Sequence, residues 1–311
     1  MSNLFIIGNG FDIDHGLPTR YADFRKHLES TYEINHDSLE EPSLAMTQDH
    51  HGYDYSDSAV ASFLFNLVET TTLNNNGSWS DFEDALGQFC DVFEDHHLTD
   101  LDYIDSEGDF DFIKTERNKA DMCANLYPIT RASKYFAEWI STCPTTPKRK
   151  TRFANLLDLE KDLFLSFNYT KTLETVYNVR NVCHIHGEIG TEIIIGHGAG
   201  KRTVVRDEET GAADDSEETL DKIHEELRKD TPRILKRHWD FFNTLSDIKN
   251  IYSYGFSYSD VDLGYIAEIC KRLSKDSVWH FNDYNPAGHL EYKDKVLKCG
   301  FKGKFSVFSV K

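Results

Sequence analysis

What this chain lacks narrows it first. Its six cysteines (Cys90, Cys123, Cys143, Cys183, Cys270 and Cys299) include no C-x-x-C pair, which excludes a zinc ribbon and a disulfide framework. Cys183 and Cys270 stand in apolar patterns and read as small core residues. No apolar run is long enough to span a bilayer. Met1-Ser2-Asn3 leads into the first apolar segment without a basic region or cleavage site, so no secretory signal and a cytoplasmic protein are expected. Positive charge is scarce as well, 34 Lys and Arg against 53 Asp and Glu for a net charge of −19. That balance argues against a protein whose main work is gripping nucleic acid through phosphates. A local basic site stays open at Lys148, Arg149, Lys150 and Arg152, whose plainer reading is a solvated loop. Internal repeats and low-complexity tracts are absent too.

What is present begins with Leu4-Phe5-Ile6-Ile7, four apolar residues that read as a strand buried on both faces. Gly8-Asn9-Gly10 then permits a tight turn and a close approach of backbone to a bulky group, as phosphate cradles require. From Arg20 to Leu28 the pattern takes a helical period, with Tyr21, Phe24 and Leu28 on one side. The dinucleotide fingerprint G-x-G-x-x-G would need a small residue where Ile13 stands. No second strand with a terminal acidic residue follows at once either, so a hydride-transfer dehydrogenase is excluded. Two readings fit the turn: a nucleotide-type ligand site, or a structural turn with no ligand.

With 311 residues the chain can bury a large core. Residues 31–150 read as a helical insertion, beginning with a polar excursion to about residue 60. Helices are expected over Ala59–Leu73 (ended by Asn74-Asn75-Asn76-Gly77), from a Ser80–Glu83 capping box, over Phe112–Tyr127 and over Ile129–Cys143. Residues 1–30 and 151–311 then make an α/β domain. Its later strands are expected at Leu163–Phe167, Val182–Gly187, Glu192–Ile195, Ile251–Tyr254, Val278–Asn282 and Lys304–Val310. A charged loop over 201–218 and a long helix over Thr219–Leu245, one piece or broken at Pro232, lie within it. Strands alternating with helices imply a doubly wound, mostly parallel sheet.

Ligands of such sheets bind beyond the carboxyl ends of the strands. Four strands end in unusual polar sequence: Gly8-Asn9-Gly10, Asn168-Tyr169-Thr170, His184-Ile185-His186-Gly187 and Gly255-Phe256-Ser257. His186, at a tip beside Gly187, is the candidate for acid–base work. Strand alternation puts His184 on the same face, so a structural histidine pair is the plainer alternative. Asn168 suits orienting a water or a ribose hydroxyl, and equally suits capping the helix after it. His184, His186, Glu188 and His197 include an H-x-H pair, but no familiar metallohydrolase spacing surrounds them and no metal is expected. The doublets His50-His51 and His96-His97 read as solvated.

Gly8-Asn9-Gly10-Phe11-Asp12, His15-Gly16-Leu17-Pro18 and Tyr21 resemble the opening of the AbiH family of bacteriophage abortive-infection proteins. Trp79-Ser80-Asp81-Phe82-Glu83, Phe167-Asn168-Tyr169-Thr170, His184-Ile185-His186-Gly187, Ile195-Gly196-His197-Gly198 and Gly255-Phe256-Ser257 with Asp262 continue the likeness to about residue 265. Phe256 stands where that family more often has histidine. The same blocks resemble, more distantly, the NAD-binding core of sirtuin-like domains, without the paired cysteines of the sirtuin zinc module. The resemblance implies a Rossmann-like, sirtuin-like α/β fold with a helical insertion and an antiphage role by abortive infection. It further implies hydrolysis of NAD, as substrate, to ADP-ribose and nicotinamide. His186 would act as general base and Asn168 would position water. Gly8, Asn9, Gly10, Asp12, Gly255, Ser257, Asp262 and Asn282 would hold the nucleotide. The partners implied are a small-molecule nucleotide and a phage-derived trigger, with no membrane, and self-association stays open. A non-catalytic nucleotide-binding sensor and a metal-dependent nuclease are the alternatives.

Overall fold

The computed structural model describes residues 2–36, 44–46, 53–72, 79–93, 103–144, 146–203 and 215–310. The chain divides into two compact units, one of Met1–Asp23, Ala137–Ile194 and Asp230–Lys311, the other of Phe24–Phe136 and Ile195–Lys229. Strands among the described residues are β1 (Asn3–Ile7), β2 (Leu44–Met46), β3 (Tyr53–Tyr55), β4 (Leu163–Ser166), β5 (Val182–His184), β6 (Asn250–Tyr254), β7 (Val278–Asn282) and β8 (Lys304–Phe308).

In the first unit six strands form one sheet in the order β5-β4-β1-β6-β7-β8, and every pairing is parallel. Numbered within that sheet alone, the order is 3-2-1-4-5-6 and reverses between β1 and β6. The apolar run of β1 explains its central place. Leu4, Phe5, Ile6 and Ile7 are each at most 1% exposed, and burying such a side chain is worth about 1.5–3 kcal/mol. Strand alternation sends them to two cores. Leu4 and Ile6 pack with Leu165, Ile251, Ile266 and Trp279, whereas Phe5 and Ile7 pack with Phe11, Phe153, Phe164 and Tyr177. The helix Leu263–Arg272 supplies Tyr265, Ile266 and Ile269 to the first core. The helix Thr172–Tyr177 supplies Leu173 and Tyr177 to the second. Helices therefore flank both faces of the sheet.

The second unit contains the helices Asp57–Thr72, Trp79–Phe93, Phe112–Leu126 and Asp215–Glu226. Phe63, Leu64, Phe82, Leu86, Phe89 and Ile223 are buried there, with the Phe63 and Phe89 rings edge to face at 5.8 Å. β2 and β3 pair antiparallel within this unit, inside the stretch expected to be a polar excursion.

Besides shifts at element ends, among them β5 stopping at His184 short of the expected Gly187, two expected elements differ. Glu192–Ile195 is not a strand: Gly187 and Gly190, at φ +88° and +89°, turn the chain, and Ile194 N–H reaches His186 O at 2.9 Å without starting a ladder. The long helix over Thr219–Leu245 is three, Asp215–Glu226, Thr231–Arg237 and Trp239–Asn243. The break is chemical: the Asp230 carboxylate accepts from Arg233 N–H at 3.1 Å, starting a new helix with Pro232 in its first turn. Asn74-Asn75-Asn76-Gly77, His50-His51, His96-His97, the Ser80 side chain and most of the 201–218 loop lie outside the described residues.

Candidate functional site at the carboxyl ends of the sheet

The turns after β1 and β6 are packed backbone against backbone. Gly8 N–H donates to Tyr254 O at 3.1 Å and Gly10 N–H to Gly255 O at 2.8 Å. A Cβ on Gly255 would lie 2.0 Å from Phe11 N, and one on Gly8 would lie 2.5 Å from the Phe256 Cα. Gly255 also has φ +66°, a conformation costly for any side-chain-bearing residue. Mutual contact of the two turns is thus itself sufficient reason for these glycines. Three residues on, Tyr258 takes φ +57° without being glycine. It is fixed there by Trp279 Nε1–H on its hydroxyl (2.9 Å) and Lys295 Nζ on its carbonyl (3.0 Å). Strain of this kind gathers at functional sites.

Instead of continuing as a loop, the chain after Gly8 starts the helix Asn9–Asp14, whose outer residues are tied down. Asn9 Nδ2 donates to Thr19 O at 2.8 Å. His15 Nδ1 lies 2.7 Å from Phe11 O. That contact requires the proton on Nδ1, so Nε2 accepts from the Tyr177 hydroxyl. Asp14 accepts from the Tyr254 hydroxyl and from Lys150.

Asp12, on the same short helix, is 1% exposed. Its Oδ2 accepts from Thr170 Oγ1 at 2.6 Å, and its buried Oδ1 makes no hydrogen bond. Burial raises the carboxyl from 3.8 to about 6, against the opposing pull of Thr170, Thr172 and Asn168. Asn168, following β4, donates from Nδ2 to Gly8 O at 3.0 Å. The tips of β1, β4 and β6 are therefore joined through Gly8, Asn168 and Gly255, with Asp12 beside them.

His186 is 2% exposed. Its Nε2 lies 3.2 Å from the Tyr265 hydroxyl and 3.7 Å from Asp262 Oδ1, and its ring stands edge-on to Phe167. A histidine with a carboxylate to stabilise its protonated form is the pairing that general-base chemistry uses. Phe256 packs on Phe167 with ring centroids 4.4 Å apart. Ser257 is exposed. At the end of β7, Asn282 Oδ1 accepts from Tyr284 N–H at 2.9 Å, while its buried Nδ2 donates to nothing. A buried acceptor on Asp12 and a buried donor on Asn282 are thus left unmatched at the same end of the sheet, an uncommon state for native polar groups.

A family model described as "Bacteriophage abortive infection AbiH" matches residues 4–283. The chain belongs to the AbiH family. Among curated proteins it is similar to a probable glucan endo-1,6-beta-glucosidase B of Aspergillus flavus, 30% identical over 74 residues. That match spans 24% of this chain and 17% of the fungal protein, a stretch smaller than either compact unit. No solved structure matches. Among the described residues, no helix of this AbiH-family chain is long and apolar enough to cross a membrane.

The two histidines expected on one face are on different sides. β5 ends at His184, so the two-residue alternation stops there. His184 turns toward Glu174, at 2.8 Å on the helix Thr172–Tyr177, while His186 packs against Phe167 and Tyr265 of the opposite core. His197 is spent within the second unit. Its Nε2 meets His224 O at 3.0 Å and its Nδ1 accepts from Ala199 N–H at 3.2 Å, an arrangement that requires a neutral ring. Burial lowers its pKa from 6.5 to about 4. Of the four metal-ligand candidates, His184 and Glu188 come together, joined by Glu174. Sequence reasoning passed over Glu174, Thr172 and Tyr265. Each lies on a helix after a strand tip, and their separation along the chain carries no signal of the meeting.

Proposed function

We propose that this AbiH-family protein acts in the cytoplasm as an abortive-infection effector that hydrolyses NAD to ADP-ribose and nicotinamide once a phage-derived trigger releases it. The observation that carries this reading is the pair of unmatched buried groups, Asp12 Oδ1 and Asn282 Nδ2, at the carboxyl end of a parallel sheet in 3-2-1-4-5-6 order. That order is the one in which dinucleotides lie across the strand reversal, and a sirtuin-like version of it suits NAD as substrate rather than hydride carrier.

In this reading Gly8, Asn9, Gly10, Gly255 and Ser257 form the wall along the nucleotide. The glycosidic bond between ribose C1′ and the nicotinamide nitrogen breaks, its electron pair leaving with neutral nicotinamide. Water adds to the oxocarbenium ion. His186 accepts the water's proton, Asp262 at 3.7 Å stabilises the resulting imidazolium, and Asn168 orients the water. Ionised Asp12 opposes the developing positive charge.

The test is nicotinamide release from NAD by purified wild type and His186→Ala, each supplied with extract of phage-infected cells as the source of the trigger, together with NAD levels in phage-infected cells carrying either form. Wild type should release nicotinamide and deplete cellular NAD, and His186→Ala should do neither. Release by His186→Ala at the wild-type rate would remove the assignment. The near-complete burial of His186 favours a second reading, a sensor that binds the nucleotide without cleaving it. Saturable NAD binding without turnover, in vitro and in infected cells, would select that reading.

A further inference from the structure

Glu174, His184 and Glu188 have no part in the chemistry above, yet they converge. His184 Nε2 lies 2.8 Å from Glu174 Oε1 and 3.5 Å from Glu188 Oε2, and donor atoms of all three fall within 4.8 Å of one another. Donor atoms on a tetrahedral zinc ion with bonds of 2.0–2.1 Å stand about 3.3 Å apart, so the two distances to His184 bracket the value such a site needs.

The tautomer of His184 points the same way. Its Nδ1 lies 2.9 Å from Asn168 O, a backbone carbonyl that can only accept, so Nδ1 carries a proton. In the neutral ring, Nε2 then aims a lone pair at two carboxylates. Only a positive charge between them relieves that repulsion, either a proton or a metal ion. A proton on Nε2 serves Glu174 Oε1 but leaves Glu174 Oε2, shielded from solvent and without a hydrogen bond, still unmatched. A cation shared by Nε2 and one oxygen of each carboxylate relieves the repulsion across the whole group. A ligating imidazole whose other N–H is fixed by a backbone carbonyl is also the usual outer-shell arrangement at metal centres. The Glu174 and Glu188 side chains are 25% and 28% exposed, leaving a path from solvent and room for water ligands.

We propose that Glu174, His184 and Glu188 bind one first-row divalent cation, Zn²⁺ in preference to Mg²⁺ or Ca²⁺, completed by water. One imidazole with two carboxylates suits zinc and manganese better than the hard alkaline-earth ions. The ion ties the turn at Glu188 to the helix Thr172–Tyr177 and, through His184 Nδ1–H, braces the Asn168 backbone. This site departs from the expectation of no metal, and it does not depend on whether NAD is cleaved. Lys171 Nζ, 3.5 Å from Glu188 Oε1, competes for that carboxylate and keeps the affinity moderate.

The test is calorimetric titration of the full chain with Zn²⁺ and separately with Mg²⁺, in wild type, Glu174→Gln and Glu188→Gln, with circular dichroism as the check on folding. One equivalent of Zn²⁺ should bind wild type, and at least about tenfold more weakly each variant. Co²⁺ should give wild type a visible ligand-field band that Glu188→Gln loses. Should Glu174→Gln fail to fold, Glu188→Gln, altered in a solvent-reaching turn, carries the comparison alone. Absence of a stoichiometric Zn²⁺ site in wild type, preference for Mg²⁺, or wild-type affinity in a folded variant each overturns the proposal.

Discussion

Replacing Asp12 by Asn tests the unmatched carboxylate directly. The side chains have the same shape, and the Asn amide oxygen can still accept from Thr170 Oγ1, now at 2.6 Å from Oδ2. What changes is the charge. Burial raises the Asp12 carboxyl from 3.8 to about 6, and each pKa unit corresponds to about 1.4 kcal/mol, so ionised Asp12 lowers stability at pH 7 by about 3 kcal/mol. Between pH 3.8 and about 6 the folded chain holds a proton that the unfolded chain has released, and stability therefore falls as pH rises through that window. His15, His238 and His280 have pKa values lowered by burial and act in the opposite sense. They are present in both proteins and cancel in the difference. Urea unfolding at pH 4, 5, 6 and 7 should show Asp12→Asn gaining about 2–3 kcal/mol on wild type from pH 4 to pH 7, with m unchanged. A difference between the two proteins that stays flat with pH would refute the reasoning. A carboxylate retained at such a cost is expected to serve the chemistry, so the Asn variant should also lose NAD turnover.

Gly255→Ala places a methyl 2.0 Å from Phe11 N in a residue at φ +66°. It should destabilise the first unit by more than about 3 kcal/mol, read as a lower urea midpoint; a change below 1 kcal/mol, on the order of a surface substitution, would mean the turns can separate. Tyr265→Phe removes the hydroxyl 3.2 Å from His186 Nε2, and the pH–rate profile of NAD hydrolysis should shift while KM holds; an unmoved profile places Tyr265 outside the chemistry. His197 titrates near 4 when folded and 6.5 when unfolded. Its contribution to stability is therefore full above pH 6.5 and fades as pH falls toward 4, so hydrogen exchange at Lys229 N–H, which bonds to His197 O, should quicken over that interval beyond its intrinsic pH dependence. No change in protection would remove His197 as the cause.

How much of this was legible in the sequence follows from how local each signal is. β1 was plain because four consecutive apolar residues need burial on both faces, and a parallel sheet is what supplies it. The four strand tips were legible for the same reason: each ends in residues that strands rarely use. The strand order was not, since pairing partners lie far apart in sequence, as Leu4 with Ile251 does. The glycines were noticed, but their cause lay elsewhere. Gly8 and Gly10 face Gly255, and each turn explains the other only once both are placed. The expected strand at Glu192–Ile195 failed because apolar composition cannot reveal that two glycines with positive φ have turned the backbone out of register.

The histidines show why motif spacing reaches its limit where a strand stops. The H-x-H pair implied one face for both histidines, and that inference holds only while alternation continues. With β5 ending at His184, one histidine meets Glu174 and Glu188 and the other meets Asp262 and Tyr265. One strand tip therefore feeds two polar clusters, and Asn168 links the first of them to the glycine turn after β1, its carbonyl holding His184 and its amide holding Gly8. This coupling has a measurable consequence. If a cation at Glu174, His184 and Glu188 braces Asn168, Zn²⁺ should lower KM or raise kcat for NAD in wild type and do neither in Glu188→Gln. Zinc binding without any kinetic effect would separate the two clusters and leave the metal a purely structural clamp.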